Sequence, residues 1–284
     1  MSHSSSDIET RRRPRSGPRQ AHPAPSRTAI TLIEPNRIVV RGYAVDEAMG
    51  RISFAEAVYL LLTGELPTPA IGKLMDALLV SSIDHGATPP STLAARNVAT
   101  TGAPLRTSVA AGILAFGQYH GGDIESAMRT LEAGVALTRQ GLSLDEAARR
   151  VIDECRQKGE PVPGFGHRLH SRDPRAARLF QMALELELDG PSLHMSRAIE
   201  RALNAQLTAG EPWIPTNVDG AIAAICCDIG FPPELGQALF IISRVPGLVA
   251  QAYEEKLREQ PMRSIDPTSV YDGPAERRLP ETRK

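Results

Sequence analysis

From Phe54 to Arg258 the large apolar side chains recur roughly every three to four residues, and this helical period restricts the fold more than any other feature. A chain patterned this way buries those side chains by laying helix on helix. Ser53-Phe54-Ala55-Glu56 has capping-box spacing, in which the Ser hydroxyl and the Glu carboxylate each satisfy a backbone N–H that the first turn leaves open. Val58, Leu61 and Leu62 follow at helical period, and Gly64 and Pro67 end the helix. Leu105, Val109, Ile113 and Phe116 form the apolar face of a second helix over 105–117. Ala110, Ala111, Gly112 and Ala115 keep its other sides small, which predicts close helix–helix contact within the chain or between subunits. Ser143-Leu144-Asp145-Glu146 repeats the capping pattern ahead of a helix through Ala147, Val151 and Ile152 to Gly159. After a loop over 160–167, helices are expected over 175–188 and around Met195, Ile199 and Leu203. The last pair, 218–229 and 233–258, is separated by Gly230-Phe231-Pro232-Pro233, with a kink expected at Pro246. Only residues 29–43 read as short strands, placed around the turn Glu34-Pro35-Asn36. The expected fold is therefore mainly α, with short N-terminal strands.

A hydrophobic content of 42% supplies a substantial core, and 32 Lys plus Arg against 33 Asp plus Glu leave no overall field to attract nucleic acid or an anionic membrane. An anionic ligand must be met by a local site. No apolar run reaches the roughly 18 residues of a membrane span. Cys155, Cys226 and Cys227 are odd in number and lack metal-ligand spacing, which fits a reducing cytoplasm and no metal site. Residues 1–28 are rich in Ser, Pro and Arg, and Asp7, Glu9 and the prolines argue against an amphipathic targeting helix, so a solvated tail is expected there. Residues 272–284 are again polar.

Three histidines sit beside glycine, proline or turn residues, where an imidazole can edge a cavity. His85, in Asp84-His85-Gly86-Ala87, is either a surface turn residue or a donor to a bound carboxylate. His120-Gly121-Gly122-Asp123 is either a helix C-cap or a place where a ligand comes close to the ring. Pro163-Gly164-Phe165-Gly166-His167-Arg168 exposes backbone N–H groups beside two cationic or hydrogen-bonding side chains, which suits an anion or nucleotide, although an interdomain turn would read the same way. Asp173-Pro174-Arg175 places an arginine in the first turn of a helix, where it can hold a carboxylate while Asp173 caps. Asn217-Val218-Asp219-Gly220 opens a strongly apolar helix; Asp219 is either an N-cap or, facing a dry cleft, a general base with a raised pKa.

Taken in order, these stretches resemble the citrate synthase family over residues 42–274. The matching segments are Gly42-Tyr43-Ala44-Val45-Asp46, Tyr59-Leu60-Leu61-Leu62-Thr63-Gly64-Glu65-Leu66-Pro67, His120-Gly121-Gly122, residues 163–168, Asp173-Pro174-Arg175 and Asn217-Val218-Asp219. The resemblance implies a multi-helical two-domain fold: a large domain from 29–120 and 216–271, with a small domain, 121–215, inserted between and closing over substrate. It places His120, His167 and Asp219 at the three catalytic positions and His85, Arg175 and Arg244 at positions that hold substrate carboxylates. Pro163, Gly164, Phe165, Gly166 and Arg168 fall at the expected coenzyme A contact. The thioester would be a substrate, and no covalently bound cofactor is implied.

Family members end on an Arg-Pro-x-x-x-Tyr-x-Gly pattern whose arginine reaches the partner subunit's substrate; here Asp266-Pro267 precede Tyr271-Asp272-Gly273 at that spacing, and Arg263 is the expected replacement. Gly220, the Asp84-His85-Gly86 turn, the position of Arg263 and the short chain resemble citryl-CoA lyases and the lyase module of ATP-citrate lyase. The resemblance thus implies cleavage of citryl-CoA to acetyl-CoA and oxaloacetate. Its alternatives are a citrate or 2-methylcitrate-like synthase, a thioesterase, and a non-catalytic CoA-binding relative. A homodimer or larger homo-oligomer is expected, with the small-residue helix in the interface, and a separate citryl-CoA synthetase would be needed to work from free citrate.

Overall fold

The computed structural model describes residues 27–117, 120, 121, 123–168, 170–263, 272, 273, 275 and 276. The N-terminal tail up to residue 26, Gly122, Asp266, Pro267, Tyr271 and most of the C-terminal polar tail lie outside the described residues.

Thr31–Glu34 (β1), Arg37–Val40 (β2) and Tyr43–Ala44 (β3) make an antiparallel meander, with Thr31 opposite Val40 and Val40 opposite Tyr43. Asn36 takes the left-handed conformation in its first turn (φ 61°), as the turn-forming residues predict. The rest is helical: Val45–Ala48 (α1), Phe54–Thr63 (α2), Pro69–Ser81 (α3), Pro90–Thr100 (α4), Leu105–Leu114 (α5), Asp123–Arg139 (α6), Leu144–Gln157 (α7), Pro174–Glu185 (α8), Pro191–Asn204 (α9), Val218–Asp228 (α10) and Gly236–Arg258 (α11). Both capping boxes form, at Ser53 with Glu56 and at Ser143 with Glu146.

Besides the four-residue α1, three helices are not among those expected. α3 and α6 carry full apolar stripes, Leu74, Met75, Leu78 and Leu79 in one and Ile124, Met128, Leu131 and Val135 in the other. α4 instead buries Ser91, Thr92, Ala95, Arg96 and Ala99, small or polar residues that give no apolar period.

α10 is the central element: Val218, Ala221, Ile222, Ala223, Ala224, Ile225 and Cys226 are all buried, between α6, α8 and α9. One continuous apolar cluster runs from α2 and α3 through α6–α10 to Leu239 and Phe240 of α11. A smaller cluster joins Ala95 and Ala99 of α4 to Leu248 and Ala252 of α11, with Leu105, Val109 and Ile113 of α5 packed on it. Gly112 of α5 serves a contact inside the chain: a Cβ on it would fall 2.9 Å from Leu248 and 3.0 Å from the Ser91 carbonyl, whereas Ala110 is exposed. α11 is long and apolar enough by composition to cross a membrane, yet it carries the buried Arg244 and Glu255 inside the helical body. Pro246 lies within it and removes one helix hydrogen bond.

Candidate active site

The ends of α3, α4, α6, α8 and α10 and the side of α11 meet around a cleft of about 790 Å³. Its walls include His85, His120, Phe165, Gly166, His167, Arg168, Arg175, Asp219 and Arg244, drawn from segments far apart in sequence. Pro163 and Gly164 are not in the wall, and Gly164 backs it. Arg263 is not brought to this cleft: its guanidinium is bidentate to the buried Glu255, with Nη2 2.6 Å from Oε2, and Glu255 also meets Arg96 at 2.7 Å. Within its own chain Arg263 therefore holds the segment after α11 back onto Glu255, and Arg96 ties that same carboxylate to α4.

His120 pairs with Gly117 through the main chain. Gly117 and His120 exchange both main-chain hydrogen bonds at 2.9 Å, and Gly121 must be glycine, since its φ is 76° and a Cβ there would sit 2.4 Å from the Phe240 ring. The imidazole lies among Phe116 and Phe240, with centroids 5.7 and 6.2 Å away. Its Nε2 meets the Ser91 hydroxyl at 2.8 Å and accepts the Ser91 N–H at 3.4 Å. Because a backbone N–H can only donate, Nε2 is the lone-pair nitrogen and the neutral ring carries its hydrogen on Nδ1.

His167 Nδ1 accepts the His170 N–H at 3.1 Å, and the two rings stack with centroids 4.3 Å apart. His85 meets His167 edge to face at 6.3 Å. Burial, followed by nearby cations or imidazoles, pushes all three cleft histidines below their ordinary value, so each is neutral at pH 7.

The loop carrying Phe165 and Gly166 is laced to the entry of α10: Gly166 N–H donates to the Pro215 carbonyl (2.8 Å), Asn217 N–H to the Gly164 carbonyl (3.1 Å) and Asn217 Nδ2 to the Gly166 carbonyl (3.0 Å). Asn217 is the N-cap, its Oδ1 accepting from Gly220 N–H at 3.0 Å, so Asp219 does not cap and its carboxyl faces the cleft. Burial first, and the charge of Asp123 second, raise its pKa to about 6.

Asp173 both caps α8 and grips Arg175. It accepts Arg175 N–H and Nε, each at 3.0 Å, and Nη2 at 2.8 Å, and its Oδ2 also accepts Val218 N–H at 3.1 Å. Arg244 is buried, with Nε donating to the Ser82 carbonyl at 2.8 Å and the guanidinium 4.8 Å from the Phe240 ring centroid. Its Nη1 and the Ser82 hydroxyl, also in the cleft wall, have no hydrogen-bond partner among the described residues. A buried guanidinium edge left open in this way calls for an anion.

Sequence reasoning missed Ser82, Ser91, Asp123 and Phe240. For Asp123 a signal existed, its place directly after His120-Gly121-Gly122; Ser91 could have been found by reading Pro89-Pro90 as a helix start.

Helical layers around a cleft lined by three histidines, Asp219 and the arginines Arg168, Arg175 and Arg244 define the class: a mainly α protein with a cationic cleft. Residues 67–265 match the family model for the citrate synthase C-terminal domain, and the chain belongs to the citrate synthase family. Among solved structures, citryl-CoA lyase from Hydrogenobacter thermophilus superposes with a TM-score of 0.81 at 42% identity, covering 90% of this chain and 97% of that one. ATP citrate lyase of Methanosaeta concilii, solved with (3S)-citryl-CoA, shares the fold at 20% identity and a TM-score of 0.75, over 90% of this chain and 43% of that one. Citrate synthase 2 of Bacillus subtilis (strain 168) is 31% identical over 226 residues, 78% of this chain and 56% of its own. The chain spans about half the length of the curated relatives it matches.

Proposed function

We propose that the protein cleaves citryl-CoA to acetyl-CoA and oxaloacetate. The observation that carries this reading is the 42% identity extending over 97% of a citryl-CoA lyase chain. The cleft supplies the groups that this chemistry needs.

In the proposed reaction Arg175, Arg244 and His85 hold the carboxylates of the citryl group. His167, neutral at pH 7, takes the proton of the tertiary hydroxyl as the C–C bond breaks and the keto group of oxaloacetate forms. The bonding pair passes into the thioester, whose enolate oxygen is met by His120 Nδ1–H, a donor fixed beforehand by Ser91. Asp219 in its acid form then protonates the enolate carbon to give acetyl-CoA. Phe165, Gly166 and Arg168 border the coenzyme A end. Movement of 121–215 against the remainder would shut water away from the thioester. A second copy would cover apolar side chains that are exposed in one chain, among them Ile33, Met49 and Phe54.

The same groups run the condensation in reverse, and the citrate synthases among the relatives make synthesis the rival reading. The test is to supply citryl-CoA in one mixture and acetyl-CoA with oxaloacetate in another. Rapid release of acetyl-CoA and oxaloacetate from the first, with little free CoA from the second, supports cleavage. Fast citrate and CoA release from the second makes it a synthase. Citrate and CoA from the first make it a thioesterase, and silence in both leaves a non-catalytic relative.

A further inference from the structure

Asp123, the first residue of α6, places a second carboxylate in the cleft wall. Its Oδ2 accepts the Gly164 N–H at 2.8 Å, and no cation among the described residues pairs with it. A site that gathers arginines for an anionic substrate would bind it more tightly without this charge. Anchoring the Gly164 loop does not explain a carboxylate, since any acceptor of that reach would serve.

Asp123 and Asp219 share the cleft wall, each in the first turn of its helix. α6 and α10 lie side by side, and Gly164, held by Asp123, presses on the residue after Asp219: a Cβ on Gly164 would fall 2.7 Å from Gly220 Cα. The charged groups that face Asp219 are Asp123 from α6, Asp173 and Arg175 from the start of α8, and Arg244 from α11; His85, His120, His167 and Arg168 are the other titratable groups of the cleft wall among the described residues. Asp173 is paired with Arg175, and the two act on Asp219 in opposite directions, so Asp123 is the stronger of the two carboxylate influences on it.

We propose that Asp123 is a positioning residue acting through Asp219: its negative charge keeps on Asp219 the proton that cleavage must deliver to the acetyl carbon. The steps balance. The hydroxyl proton goes to His167, the C–C bonding pair enters the enolate, and the Asp219 proton goes to carbon; afterwards His167 releases its proton to water and Asp219 takes one up. Burial first and the Asp123 charge second bring Asp219 from 3.8 to about 6, and together they raise its protonated fraction at pH 7 roughly a hundredfold. The consequence for turnover rests on the cleavage proposed above, whereas the coupling of the two carboxylates does not.

Asp123→Asn removes the charge and keeps an oxygen that accepts the Gly164 N–H. The first measurement is a carbon-13 NMR titration of aspartate carboxyl groups in the full chain, with the Asp219 signal assigned by its loss in Asp219→Asn. The expected result is an Asp219 midpoint lower by roughly half a pH unit or more in Asp123→Asn. Asp123→Ser, a second neutral acceptor, gives the same shift should the amide disturb packing. In kinetics, the alkaline limb of citryl-CoA cleavage and the acid limb of condensation should both move to lower pH by the same interval. A shifted midpoint in a protein that cleaves nothing would uphold the coupling and remove the proposed reaction. An unmoved midpoint, or a uniform loss of rate at every pH, would overturn the inference and leave Asp123 as a loop anchor.

Discussion

Ser91 turns both its main-chain N–H and its hydroxyl towards a single atom, His120 Nε2, at 3.4 and 2.8 Å. Ser91 belongs to the first turn of α4, where N–H groups lack helical partners and the dipole disfavours a cationic ring. The contact therefore fixes the tautomer as well as the orientation. Ser91→Ala keeps the N–H but loses the stronger bond, and should lower kcat roughly tenfold with little change in KM. A matching rise in KM would instead assign Ser91 to substrate binding.

Arg244 carries a different kind of prediction. Its Nε is satisfied by the Ser82 carbonyl while Nη1 is buried and open, so a substrate carboxylate is the missing partner. Lysine cannot fill both places at once. Arg244→Lys should raise KM for citryl-CoA on the order of a hundredfold, and Ser82→Ala, which removes the neighbouring open hydroxyl, by roughly fivefold. Unchanged KM in Arg244→Lys would place the carboxylate elsewhere.

The helical fold was legible because Val58, Ile152 or Ile222 repeat at a period that only a helix can bury. α4 was not, because its buried face is made of Ser91, Thr92, Ala95 and Arg96, and its place is fixed by α5 and α11 packing around it. The cleft histidines and arginines could be singled out one by one from turns and motifs, and only the family resemblance grouped them, since nothing local brings His85 to within 6.3 Å of His167. Ser82 and Ser91 act through helix ends, and their chemistry depends on which ring or guanidinium the fold sets against them. Glu255 left a trace: it falls on the same stripe of α11 as Leu248 and Ala252, an apolar position that asks for a cationic partner.

Arg263 supplies part of that partner, which turns its role into a question of stability. The Glu255 side chain has no exposed surface and is held by Arg96 and Arg263 together. Arg263→Ala leaves one of the two cations in place and should cost about 1–3 kcal/mol. Urea unfolding would show this as a lower midpoint. Unaltered KM for citryl-CoA would assign the side chain to the clamp, whereas a large rise in KM with unaltered stability would mean that it leaves Glu255 to reach substrate in a partner subunit.

Asp219 should weaken the fold it serves, in a pH-dependent way. Its pKa is raised from 3.8 to about 6 in the folded protein, chiefly by desolvation, so the folded state binds this proton more tightly than the unfolded chain does. Stability linked to the group is complete below 3.8, is lost as pH climbs to about 6, and stays lost above that. The penalty at pH 8 is about 1–3 kcal/mol, the lower end allowing for the part of the carboxyl that the cleft leaves to water. Asp219→Asn, neutral at every pH, should therefore melt a few degrees above the unmodified protein at pH 8, by less at pH 5 and by nothing near pH 3.5, while losing most turnover throughout. Thermal melts of the two proteins across that range decide the matter. An advantage that did not depend on pH would trace to packing alone, and no advantage at pH 8 would mean that the carboxylate is well solvated and that its strength as an acid must come from bound substrate.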